Sequence, residues 1–192
     1  TMGYCYRYEF DMSGKGIPIP EPKDYDPTEF ELYRRALIDG IDIFSKRKMR
    51  TLGQFTLDKR EPFVGGAQSN RNLMASTVFG CNDDYPNGDW ATRSRIWKFH
   101  QDFLINSIHF AKTDSSVPES MKEHAMKISF KRGPFDETGG WPNQFYVRQA
   151  RRMVSSYVVT QKDLEGKTDP PNTVGLAAYG VDDWPYAVVV QD

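Results

Sequence analysis

Residues 92–114, TRSRIWKFHQDFLINSIHFAKTD, place Ile96, Phe99, Phe103, Ile108 and Phe110 near one face of a helix. Asp89 or Thr92 is suited to cap it. Such a helix in the middle of a 192-residue chain leaves the two ends to supply whatever sheet there is. The ends have that character. GYCYRYEF alternates aromatic and polar side chains, with Tyr4, Tyr6 and Tyr8 on one face and Cys5 and Arg7 on the other. Residues 144–160, then TVGLAAYGV and WPYAVVVQ, read as strands near the other end.

Between these segments the punctuation is clear. DMSGKGIPIPEPKDYDP repeats Gly and Pro and reads as an extended surface loop. Asp26, Pro27 and Glu29 then form a helix start, with Asp26 as cap and Glu29 completing a capping box. Phe30, Tyr33 and Leu37 follow at helical spacing, and Gly40 is a stop. TLGQFTL reads as a short strand, and residues 65–90 as mostly loop, of a length that is usually functional or poorly ordered. SSVPESMKEHAMKIS reads as a further helix with Pro118 early in it. The expected architecture is α+β: a mixed or antiparallel sheet from N- and C-terminal strands with a central group of helices, in a single domain over residues 1–192.

Composition narrows the function classes. Aromatic residues make up 14% of the chain, so rings build much of the core and extensive disorder is excluded. A net charge of −1 offers no basic excess for nucleic acid, and Lys46-Arg47-Lys48-Met49-Arg50 reads as a solvated turn or helix end. No apolar run reaches the ~18 residues of a membrane span, and the chain opens polar at Thr1 without a signal peptide. A first residue other than Met reads as a processed, truncated or excised chain, and it leaves the compartment unassigned. Cys5 and Cys81 read as two isolated reduced thiols.

Motifs for common chemistries are missing. His100 and His109 lie nine positions apart, about 900° of helical rotation, hence on opposite faces; with no HExxH or CxxC, no metal site is expected. There is no GxSxG elbow, and Asp182-Asp183 and Asp83-Asp84 are adjacent carboxylates rather than a facing dyad. Neither a P-loop nor the glycine pattern that seats a dinucleotide is present.

What stands out is FYVRQARRMVSSYVVT, residues 145–160, which carries three arginines into a β-rich run. As a strand it puts Tyr146, Arg148, Ala150 and Arg152 on one face, with Arg151 on the other; as a helix it groups Arg148, Arg151 and Arg152. The β-branched content downstream favours the strand. Half-buried guanidinium groups need carboxylates, carbonyls or an anionic ligand, so an ion-pair network and a ligand-facing surface are both open.

FYVRQARRMVSSYVVTQKD resembles a signature of a family of FAD-dependent oxidoreductases that runs close to "LYVREARRMVGEYVMTE-D". NTVGLAAYGVDDW is similar to that family's "DSVGLGSY-IDSH", and GYCYR with IPIPEPKDYDPTEFELYRR to its "YCYR…P-P-YDP--YELL-R". The likeness is collinear over nearly the whole chain. It implies the middle, substrate-side portion of a flavoprotein, without the N-terminal dinucleotide-binding part. It implies FAD as the cofactor of the full-length parent and none for this chain alone. The implied partners are the FAD-binding domain of the same parent and a small-molecule substrate, anionic in one version, with no nucleic acid and no membrane. Arg7, Tyr146, Arg148, Arg151, Arg152, Tyr179 and Asp182 are the substrate- or flavin-facing candidates, and no catalytic residue is assigned. Gln149 replaces the family's Glu, and Trp184 stands where it usually has His. The alternative is a non-catalytic binding module for a carbohydrate or anionic small molecule.

Overall fold

A computed structural model describes residues 2–4, 8–40, 78, 80–133, 135–147 and 150–175. The chain divides into two compact units, residues 1–148 and 149–192. The first contains β1 (Met2–Tyr4), β2 (Tyr8–Phe10), β3 (Ile17–Pro18), α1 (Glu31–Ile38), α2 (Trp90–Thr113), α3 (Glu119–Ala125), β4 (Ile128–Phe130) and β5 (Phe145–Val147). Among its described residues the second contains one short helix, α4 (Gln161–Leu164). The class is α+β, with small antiparallel sheets beside a central helix group.

Local chemistry explains the helix starts. The Asp26 carboxylate accepts from the amide and hydroxyl of Thr28, and Pro27 opens a 3-10 turn that runs into α1. Thr28, rather than Glu29, is therefore the partner of the cap. α1 ends at Gly40, whose φ of +76° is cheap only for glycine. Of the two expected caps of α2 it is Asp89 that serves, accepting from Thr92 N at 2.8 Å.

The expected single apolar face of α2 needs correcting. Ile96, Leu104 and Ile108 face a cluster with Ile19, Phe130 and Phe145. Phe110, flanked by Phe103, faces a second cluster with Phe30, Ala36, Leu37, Val117 and Met121. Two layers pack on α2 from neighbouring directions, so its buried surface is wider than one stripe, and Phe99 stays 40% exposed. Phe30 is the hub of the second layer: its ring lies 5.2 Å from Phe110, 5.7 Å from Tyr33, 5.8 Å from Tyr25 and 6.0 Å from Phe103. Arg34 joins α1 to the end of α2, reaching Asp114 at 2.8 Å and Glu31 at 2.6 Å.

The sheets bring distant segments together. β1 pairs antiparallel with β5, Met2 opposite Val147 and Tyr4 opposite Phe145. β4 sits between β2 and β3. The IPIP stretch, expected as loop, thus supplies an edge strand, a position where Pro18 costs no ladder bond on its outer side. The KIS end of the second predicted helix is likewise strand: α3 stops at Ala125 and Ile128 opens β4. Two glycines allow close approach here. A Cβ on Gly16 would fall 2.0 Å from Ser129 Oγ, and one on Gly140 would fall 2.5 Å from the Cβ of buried Phe130.

The turn leading to β3 is closed by Asp11, whose carboxylate accepts from Gly16 N (2.6 Å), Ser13 Oγ (2.8 Å) and Ser13 N (2.9 Å). The Gly16 amide, then the Ser13 hydroxyl, hold its pKa near 2 instead of 3.8. A depressed folded-state pKa gives stability that is present above 3.8 and lost as pH falls through about 2. The melting temperature of Asp11→Ala should therefore lie below that of the parent at neutral pH, and the gap should close as pH falls through about 2. A gap independent of pH would contradict this.

The strand-like readings of TLGQFTL, the end of TVGLAAYGV and WPYAVVVQ, and Cys5 and Lys46–Arg50, fall outside the described residues.

Candidate functional site

The arginine signature begins in the core. Phe145, first residue of β5, packs 4.9 Å from the His100 ring, 5.1 Å from Tyr85 and 5.9 Å from Trp97. His100 is 1% exposed. Its Nε2 is 2.7 Å from Asn82 Oδ1 and 3.5 Å from Cys81 Sγ. The Asn82 amide is the nearer of the two partners of Nε2. Cys81 donates to Val78 O at 3.0 Å. Burial pushes the thiol up to about 11, so it stays protonated at neutral pH. A thiol, an imidazole and an amide therefore meet without forming a nucleophile–base pair. They act as a polar brace beneath the signature strand.

The turn over residues 80–87 that carries this brace is clamped by Arg93. Its Nε donates to Tyr85 O and its Nη2 to Pro86 O, each at 3.1 Å, and the guanidinium lies 5.6 Å from the centres of the Tyr85 and Trp90 rings. Neither Arg93 nor the Cys81–Asn82–His100 group was evident from spacing. Asp83 and Asp84 are exposed in this turn, as expected of solvated loop charges. His109 lies on the other side of α2, its Nδ1 3.1 Å from Glu21 Oε2 and its ring 4.7 Å from Tyr25. Among the described residues no group of three His, Cys, Asp or Glu could hold a metal, and no helix is long and apolar enough to cross a membrane. Cys81 is a free thiol.

The expected site residues divide sharply. Tyr146 lies in β5 opposite Gly3. Arg151 and Arg152 follow each other in the second unit, exposed and in no strand. The expected strand over 144–160 is thus cut to Phe145–Val147. A strand needs a neighbour for every residue it extends, and residues 150–160 have none among the described strands. Arg7, Arg148, Tyr179, Asp182 and Trp184 fall outside the described residues.

A family model described as FAD dependent oxidoreductase matches residues 2–187. The chain belongs to this family. No curated protein and no solved structure matches it.

An FAD-dependent oxidoreductase has to seat a diphosphate, most simply on free amides at a helix start. Each described helix start of this family member carries a carboxylate, though none caps α3, whose Pro118 N-cap makes no side-chain hydrogen bond. Asp26 holds the turn into α1, and Asp89 holds α2; hydrogen bonds from Thr28 and Thr92 respectively lower both pKa values, so both are anions at neutral pH. Glu119 lies in the first turn of α3, and Asp163 in that of α4, where its carboxylate takes the Thr160 amide at 2.6 Å. A diphosphate at any of them would meet like charge. The described residues do not fit the phosphate end of FAD.

Proposed function

We propose that this chain is the substrate-side part of a flavin-dependent oxidoreductase, inactive until joined by an FAD-holding portion of the same parent protein. One observation carries the reading: a family match over nearly the whole chain accompanies described helix starts that each have a carboxylate at the cap or in the first turn. The family's chemistry requires the flavin, and the diphosphate needs another portion to hold it. On this reading Arg7, Arg148, Arg151 and Arg152 supply positive charge toward an anionic group of the substrate or flavin, with Tyr146, Tyr179 and Asp182 beside them. The buried His100 brace fixes where the signature leaves the core.

Visible absorption tests it. Purified chain mixed with FAD and then dialysed should be colourless, and should show no oxidoreductase turnover. A retained, protein-shifted flavin band would overturn the proposal, because the chain would then hold the cofactor unaided.

A further inference from the structure

The polar side chains flanking residue 106 on α2 have partners. Ser107 Oγ donates to Phe103 O at 2.6 Å, Thr113 Oγ1 donates to His109 O at 2.8 Å, Lys98 reaches both oxygens of Asp102, and His109 meets Glu21. Asn106 is the exception. It is 8% exposed, and its carboxamide has no hydrogen-bond partner among the described residues. Its polar atoms still touch solvent, since Ser129 Oγ in β4 is the one described side-chain atom both enclosed and unpaired. The Asn106 amide therefore lies at the foot of a narrow opening, with a donor and an acceptor side by side. Leaving such a group without partners costs stability, so the vacancy calls for a ligand.

The walls of the opening are rings. Helical spacing sets Phe103 and Phe110 beside Asn106, with His109 one turn on and Phe99 two turns before. Tyr25 spans this flank of the helix, its ring centre 5.8 Å from Phe30 and 4.7 Å from His109. Phe30, Phe103 and Phe99 form a stack whose neighbouring planes differ by 21° and 20°, and Phe99, the open end, is 40% exposed. We propose that this opening binds a flat, neutral ring compound with a cyclic amide edge. Its N–H and C=O pair with the Asn106 carboxamide, and its face lies along Phe103 and Phe99. A carboxamide meets the adjacent donor and acceptor of a lactam with two parallel hydrogen bonds. A carboxylate would meet only the amide N–H and set its charge against the carbonyl oxygen. The nearby charges are already paired, Lys98 with Asp102 at 2.6 Å and His109 with Glu21 at 3.1 Å, so none is left for an ionic ligand. A thin edge enters an opening this narrow, and stacking supplies the apolar burial. The site is distinct from the arginine signature: Asn106 is turned about 120° around α2 from His100, which packs on Phe145.

Titration of the whole chain with 2-pyridone, a small lactam of this kind, tests the proposal by proton–nitrogen NMR of the side-chain amides. The Asn106 amide pair should shift saturably. N-methyl-2-pyridone keeps the ring but has no N–H, and should bind several-fold more weakly. Phe99→Ala, at an exposed position, should weaken 2-pyridone several-fold, and Asn106→Leu should abolish its binding. The N-methyl comparison uses the unaltered chain, so it decides the matter even if Asn106→Leu fails to fold. An Asn106 pair unmoved by 2-pyridone up to its solubility limit would overturn the proposal and leave the amide to water or to a protein partner. So would equal binding of the N-methyl compound, binding that survives Asn106→Leu, or no loss with Phe99→Ala.

Discussion

Phe30→Ala should cost unit 1 about 3–5 kcal/mol, the range for removing a large buried ring. Phe30 is fully buried, and four rings from the loop before α1, from α1 itself and from α2 meet around it. None of these can move into the vacated space without leaving another contact, so collapse of the cavity should be small. Tyr33 shares the same apolar surroundings: burial pushes its hydroxyl up to about 12. Against a typical total stability of about 5–15 kcal/mol the loss is severe. Urea denaturation followed by circular dichroism measures it. Phe30→Leu keeps much of the volume and should lose less than half as much. Equal losses for the two variants would show that the ring stack is not what holds α1 to α2.

Gly140→Ala should be nearly as damaging, for a different reason. Its φ is +92°, and the added Cβ would lie 2.5 Å from Phe130 Cβ, on a residue with no exposure at all. The backbone strain is about 1–2 kcal/mol, and forcing a carbon against a packed ring adds about 1–3 kcal/mol. Gly139 is a built-in control. It too has positive φ, +67°, but an added Cβ there meets nothing within 4 Å. Gly139→Ala should therefore show the backbone part alone, and the difference between the two variants isolates the clash with Phe130. If both lose the same amount in urea, the close approach of Gly140 to β4 carries no energy.

How much of this was legible beforehand depended on range. Asp26, Pro27, Asp89 and Gly40 act on residues one to four positions away, and their roles could be read directly. So could the opposite placement of His100 and His109, which follows from helical rotation alone. The two-sided burial of α2 could not, because it depends on Phe30 and Phe130, which periodicity within the helix does not register. Arg34 finds Asp114 eighty positions away. Cys81, Asn82 and His100 meet across a turn whose path no motif announces. The arginine segment misled for the same reason: its residues favour a strand, but a strand forms only where another offers an edge, and the described pairing sets Met2–Tyr4 against Phe145–Val147 while residues 150–160 lie in no strand.

The pairing of β1 with β5 also sets an order of events during synthesis. The two strands are the first and last elements of unit 1, so the ladder cannot close until residue 147 has cleared the ribosome. The α2–α3 hairpin and the β2–β4 pairing are complete by residue 130 and need not wait. Nascent unit 1 thus spends its last stretch of translation with β1 lacking its only described strand neighbour. Phe145 arrives at the His100 brace and opposite Tyr4 with the same few residues. The closing of this ladder therefore waits on the first three residues of the family's signature.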